Sequence, residues 1–134
     1  MSSKGIDRRQ FNTFGRDKPK HEERTEQIAF ANDMRLYFPK VLWTISVAGA
    51  KIPKIVWILL LKMGYSSGTP DIWILEPKGK YHGLIIELKK VKGGRISEEQ
   101  IGWLEELNLR GYRACRCNGA GEALTVVTEY MSLR

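Results

Sequence analysis

The sequence predicts one α/β domain: a mixed β-sheet with helices packed on its faces, in the order α-β-α-β-β-α-β-α. Three observations carry that expectation. Apolar residues recur at helical spacing early in the chain and again after Ser97, where a helix-start signature stands. Short runs rich in β-branched and aromatic residues lie between Gly/Pro clusters, and two of them are joined by a tight turn. The chain has 134 residues, 43% of them hydrophobic, which suits a single core.

Residues 1–20 are polar and basic and are broken by Gly5, Gly15 and Pro19. Such a segment buries too little to order itself, so it is expected to be a flexible arm able to touch a phosphate backbone, with the domain proper over 21–134. A helix is predicted from His21 to Phe38. Its stripe is Ile28, Ala31, Met34 and Phe38, interrupted by Arg35, and Pro39 stops it. Val41 to Val47 reads as a strand, and Gly49 and Pro53 punctuate the segment after it. The stretch KIVWILLLKM over 54–63 suits a helix or a strand, and Gly64 suits a helix end.

The turn residues Ser66 to Pro70 lead into a strand over 71–75. Pro77 to Lys80 has hairpin chemistry, and the return strand is 81–89. Ser97 with Gln100 three residues on is a capping box. Ile101, Leu104 and Leu107 give that helix an apolar face, and Gly111 ends it. A strand over 112–117 and a helix over 122–133 complete the chain. No internal repeat is visible.

Charge and cysteine usage narrow the function classes. Lys+Arg number 22 against 15 Asp+Glu, a net charge of +7. That surplus favours an anionic partner, nucleic acid first and a membrane surface second. Cys115 and Cys117 are too close and too few to staple a secreted fold, and read as two buried thiols in a reducing compartment. The first 24 residues hold no apolar stretch of the secretory kind. The longest apolar run, Ile55 to Leu61, falls far short of the ~20 residues that span a membrane. A soluble, cytoplasmic protein without membrane attachment is expected.

The stretch that can carry chemistry is Gly68-Thr69-Pro70-Asp71 and, later in the chain, Glu87-Leu88-Lys89. Asp71 opens one strand of the predicted hairpin. Glu87 and Lys89 are two apart on the other strand and so share a face. Their neighbours Ile72, Ile74, Leu84, Ile85, Ile86 and Leu88 read as buried. Charges at the rim of an apolar sheet are costly unless paired or metal-bound. Two carboxylates and a lysine make a hard-cation site that leaves positions for water and substrate phosphate. The plain alternative is a surface Glu-x-Lys ion pair and ordinary Pro-Asp turn chemistry.

These motifs, with the Ser97-x-x-Gln100 helix, Gly111-Tyr112-Arg113 and Gly121-Glu122-Ala123, resemble the stand-alone VRR-NUC domain. That is the virus-type replication-repair nuclease branch of the PD-(D/E)xK superfamily. The likeness runs from about Glu22 to Tyr130. It implies a restriction-endonuclease-like sheet with Asp71 and Glu87 as metal ligands, the Leu88 carbonyl as a further ligand and Lys89 as the catalytic lysine. Gln100 matches the helix glutamine near the site, and its capping-box role competes for the same side chain. Glu26 matches the acidic residue of the first helix, with Glu22 and Glu23 as rivals for that position.

The implied activity is that of an endodeoxyribonuclease using one or two Mg²⁺ or Mn²⁺ ions, selective for branched DNA such as four-way Holliday junctions, in a bacterial or phage-infected cell. Cutting two symmetric strands implies a homodimer. The alternative is a non-catalytic DNA-binding module of the same fold. Lys90, Lys92 and Arg95, on a loop made pliant by Gly93 and Gly94, are expected to bind phosphate. Relatives carry a Gly- and Lys/Arg-rich segment before the Pro-Asp motif. Here Lys51, Lys54 and Lys62 frame the apolar IVWILLL, which reads as a core helix or a subunit interface, and Lys54 and Lys62 are the phosphate candidates of that region.

Overall fold

The computed structural model describes residues 18–47 and 52–134. The basic arm lies outside the described residues except for its last three, which begin the first helix. Gly49 and Lys51 also lie outside them. The elements are α1 (Lys18–Tyr37), β1 (Trp43–Ile45), α2 (Lys54–Met63), β2 (Ile72–Ile74), β3 (Leu84–Lys89), α3 (Glu98–Leu109), β4 (Arg113–Asn118) and α4 (Ala120–Met131). The order is the expected one.

The sheet runs β1-β2-β3-β4. β1/β2 and β2/β3 are antiparallel, and β3/β4 is parallel, reached through the α3 crossover. Alternation along the strands divides the faces. Ile72, Ile74, Leu84, Ile86, Leu88 and Cys117 point into the main core, where α1 and α4 cover them. Ile85 and Ala114 point the other way, against Leu107 of α3 with Trp73 and Trp103. Every residue of β3 is buried, as a central strand covered on both sides must be. Each large aliphatic side chain so covered stabilises the fold by roughly 1.5–3 kcal/mol relative to exposure.

Three local expectations are corrected. The buried stripe of α1 is Phe30 and Met34, flanked by Ala29 and Phe38, whereas Ile28 is 57% exposed. The residue that interrupts the expected stripe, Arg35, is exposed and lines a surface groove with Ile28, Ala31 and Trp43. The strands are also shorter than their β-rich runs, because pairing ends before propensity does.

Residues 54–63 form a helix, closed by Gly64 at φ 114°, a conformation that only glycine adopts readily. That helix buries none of its residues, so it is not a core helix. Its aromatic contact is Trp57 edge-on to Tyr65. Among the described residues, no helix is long and apolar enough to cross a membrane.

Candidate active site

Asp71 precedes β2, and Glu87 and Lys89 end β3. The β2/β3 register sets Ile72 opposite Ile86, so the strands carry Asp71 and Glu87 side by side on the α3 face. All three charged groups are buried: Asp71 is 7% exposed, Glu87 2% and Lys89 5%. This is not the exposed Glu-x-Lys ion pair of the plain alternative. Asp71 Oδ2 accepts the Leu88 N–H at 2.8 Å, which locks the turn to β3. Lys89 Nζ lies 3.4 Å from Glu87 Oε2.

Gln100 ties the group together. Its Nε2 donates to Glu87 Oε2 at 2.9 Å, and its Oε1 accepts from Lys89 Nζ at 3.1 Å. The same Oε1 accepts the Ser97 N–H at 2.9 Å, and Ser97 Oγ accepts the Gln100 N–H at 3.1 Å. The expected competition between capping and the site does not arise. One amide oxygen has two lone pairs and serves both, while the amide NH₂ is left for Glu87. The capping box therefore aims Gln100 as well as starting α3.

The turn before Asp71 is held from outside. Thr69 Oγ1 donates to the Ser66 carbonyl at 2.6 Å, and Trp73 Nε1 donates to the Pro70 carbonyl at 2.9 Å. Gly68, at φ 85°, lies on the start of α3, where a Cβ would come within 2.7 Å of Glu99 Cβ and 2.8 Å of its backbone carbon. Gly68→Ala is expected to cost about 2–4 kcal/mol, from the disfavoured φ and a backbone clash. Denaturant titration would show it as a lowered midpoint, and an unchanged midpoint would refute this account of Gly68.

The electrostatics are strained. Burial pushes the Glu87 carboxyl up to about 8; the Asp71 charge adds to the rise and Lys89 opposes it. Asp71 is also raised by burial, against the pull of the Leu88 N–H. Glu87 Oε1 is buried with no hydrogen-bond partner. An unsatisfied buried carboxylate oxygen beside a second carboxylate fits a hard divalent cation, whose charge would favour the ionised form of both groups. Among the described residues, no cluster of three or more His, Cys, Asp or Glu side chains is set to hold a metal.

Of the other sequence candidates, Leu88 and the loop after β3 adjoin this group, Glu26 is bonded at the start of α4, and Lys54 and Lys62 lie on α2. Glu26 Oε1 accepts the Ala120 N–H at 2.7 Å, so Glu26 caps the start of α4. Leu88 gives its N–H to Asp71. Lys90, Lys92 and Arg95 come after β3 on the loop that passes Lys89, where a Cβ on Gly94 would meet Lys89 Cβ at 2.9 Å. Lys54 and Lys62 are on exposed α2. Sequence reasoning missed Arg116 and Asn118. The parallel register pairs Glu87 with Arg116 and Lys89 with Asn118, which puts both on the site's face. The alternation in RACRCN was a signal, but only long-range pairing says what it faces.

A cavity of about 650 Å³ lies beyond the Gly68 turn, lined by Ser66, Ser67, Trp103 and Arg110 with Glu99, Glu105 and Glu106. It contains none of the four linked residues, and its carboxylates make it a poor phosphate site.

A mixed sheet between helices, with an Asp-to-Glu-x-Lys constellation on one face, defines a nuclease-type fold. The VRR-NUC domain model matches residues 21–121. The chain belongs to the VRR-NUC domain family. Among solved structures it is similar to a VRR_NUC domain protein, with a TM-score of 0.71 and 26% identity over 84% of this chain and 89% of that one. Comparison with curated protein sequences gives no match.

Proposed function

We propose that the chain is an endodeoxyribonuclease using one or two Mg²⁺ or Mn²⁺ ions per site. The observation that supports it is the buried Asp71–Glu87 pair, raised in pKa and with Glu87 Oε1 unpartnered, beside Lys89. Such a pair costs stability without a ligand, and a family nuclease fold gives the cost a use. Asp71 and Glu87 would hold the cation, with the Leu88 carbonyl as a further donor. When bound, the cation supplies Lewis acidity and a water of lowered pKa.

Lys89 orients the attacking water and offsets the charge that develops on the phosphodiester oxygens. Gln100 fixes Glu87 and Lys89 relative to each other. Glu26, bonded to Ala120, has the part of fixing the start of α4. Lys90, Lys92, Arg95, Lys54 and Lys62 bind phosphates. These contacts position DNA without reading its bases. Lys92→Ala with Arg95→Ala is expected to reduce the slope of log affinity against log salt by roughly 0.9 per lost contact on duplex DNA. Fluorescence anisotropy over a salt series would measure it, and an unchanged slope would remove the loop from the interface.

The substrate class we propose is branched DNA, four-way junctions included, cut by a homodimer that brings two sites to symmetric strands. Support comes from α2, whose Ile55, Leu59 and Met63 are 73%, 55% and 73% exposed at helical spacing. A second copy of the chain is the proposed cover for that stripe. Light scattering tests it: a monomer at micromolar concentration overturns the dimer. A panel of single strand, duplex, fork, flap and four-way junction with Mg²⁺ or Mn²⁺ tests the activity. Metal-dependent cutting of the junction is expected. Salt-dependent binding with no cutting under any metal would make the chain a DNA-binding module instead.

A further inference from the structure

We infer that Arg116 is a positioning residue for Lys89, acting through the carbonyl of Gly94. The inference rests on the nuclease reading and adds to it a residue that no motif marks.

Arg116 is half-buried on β4, next to Glu87 across the parallel pair. Its Nη2 donates to the Gly94 carbonyl at 2.6 Å, and its Nε donates to Asn118 Oδ1 at 2.9 Å. The Asn118 backbone N–H donates to Glu122 Oε1 at 2.9 Å, which ties the end of β4 to the first turn of α4. The guanidinium is thus held between the Asn118 side chain at the end of β4 and the Gly94 carbonyl. A planar fork with two directed bonds does this where an ammonium would not.

The loop end of the clamp lies on the lysine. A Cβ on Gly94 would stand 2.9 Å from Lys89 Cβ and 3.5 Å from its Cγ. Gly94 has no side chain because the loop backbone lies against the Lys89 stem. From below, the Gly119 N–H donates to the Lys89 carbonyl at 2.8 Å. The head is held by Gln100 and Glu87. The Lys89 side chain is therefore confined at its stem by Gly94 and at its tip by Gln100, and Arg116 keeps the first of these in place. A long flexible lysine loses rotamer freedom when it is held so, and that loss is made in folding rather than at the moment of reaction.

The same bond ties down the loop that bears Lys90, Lys92 and Arg95. Releasing it disturbs the stem of the proposed catalytic lysine, against which Gly94 lies, while Lys92 and Arg95 are exposed and half-buried Lys90 adjoins the same glycines.

The test compares wild type, Arg116→Gln, Arg116→Lys and Gly94→Ala in the full chain. Two measurements are made. One is single-turnover and steady-state cleavage with Mn²⁺. The other, which needs neither metal nor DNA, is the rate of tryptic cutting after Lys90, Lys92 and Arg95, with sites identified by fragment mass. For Arg116→Gln, kcat should fall about tenfold with KM changed less than twofold, as loss of an outer partner does. Cutting of the loop by trypsin should quicken, with Tm within a few degrees of wild type. Arg116→Lys, which keeps one donor within reach of the carbonyl, should recover part of kcat.

A raised KM at full kcat would make Arg116 a phosphate contact and overturn the inference, as would wild-type behaviour in both assays. Should Arg116→Gln not fold, Gly94→Ala decides from the loop side. It is expected to lower kcat in the same way, and wild-type kcat with an unaltered tryptic rate overturns the clamp. Wild type that cuts no DNA defeats the nuclease reading, and the clamp is then judged by the tryptic rate alone.

Discussion

Glu87→Gln is expected to abolish metal-dependent cleavage and at the same time to make the metal-free protein more stable at pH 8. The loss of activity comes from removing one of two carboxylates in the site, at about 10³-fold or more in kcat/KM. The gain comes from the burial that makes the site costly. A Gln amide at this position accepts from Gln100 and Lys89, as the carboxylate does, and offers its NH₂ towards the Asp71 carboxylate. It removes the repulsion and the desolvation of a second charge.

The sign of the pH dependence is fixed by the direction of the shift. Unfolded, the Glu87 carboxyl loses its proton near 4.5; folded, it keeps it to about 8. The folded state binds more protons over that window, so the stability of wild type falls as pH rises from about 4.5 to about 8 and then levels. At pH 5 the two proteins should melt alike. At pH 8 the variant should melt higher than wild type by several degrees. Adding Mn²⁺ at pH 8 should raise the Tm of wild type by mass action and leave that of the variant nearly unmoved. Scanning calorimetry at the two pH values checks each arm. A variant that melts below wild type at pH 8, or that still cuts DNA, would refute the carboxylate-pair account.

The range of the interactions involved decides how much of the site is legible in the sequence. Glu87 and Lys89 share a face because strands alternate, a rule of period two that needs no partner. Asp71 joins them because β2 pairs antiparallel with β3, Ile72 opposite Ile86, across a connection over 75–83 whose turn is visible in the sequence but does not by itself set that register. The capping box announces where α3 begins and that Gln100 serves there, but only the family resemblance brings Gln100 to the site, and its bond to Glu87 depends on how α3 packs on the sheet. Arg116 is not reached at all. Its place depends on β4 lying parallel to β3, and a parallel neighbour is joined through a crossover whose register no local turn dictates. Phe30 is missing from the expected α1 stripe, and Ile28 stands in it, for the same kind of reason. Two rows of apolar residues wind around α1, and the packing of α4 and the sheet decides which of them is inside. Helix α2 is ambiguous in type because an apolar run of that length has no period to read, and its exposure is a property of its surroundings rather than of its own residues.

Lys89→Ala separates the lysine from the metal ligands. Cleavage is expected to fall about 10²–10³-fold, the size of one lost proton-handling or charge-stabilising group. Binding of the cation should survive, since both carboxylates and the Leu88 N–H bond to Asp71 remain. The variant should therefore show a Mn²⁺-induced rise in Tm at pH 8 at least as large as that of wild type. The apo state gives the reason. Lys89 is the cation that opposes the rise of both carboxyl pKa values, and without it the Asp71–Glu87 pair is less well compensated before metal arrives. Apo Lys89→Ala should consequently melt lower than apo wild type at pH 8, and the difference should narrow towards pH 5, where Glu87 is neutral. Glu87→Gln and Lys89→Ala thus lose the same activity with opposite changes in apo stability and opposite responses to Mn²⁺. That pattern is specific to two ligands and one lysine with separate roles. A common structural collapse would lower both melting temperatures together, and a chance Glu-x-Lys ion pair would leave cleavage untouched in both.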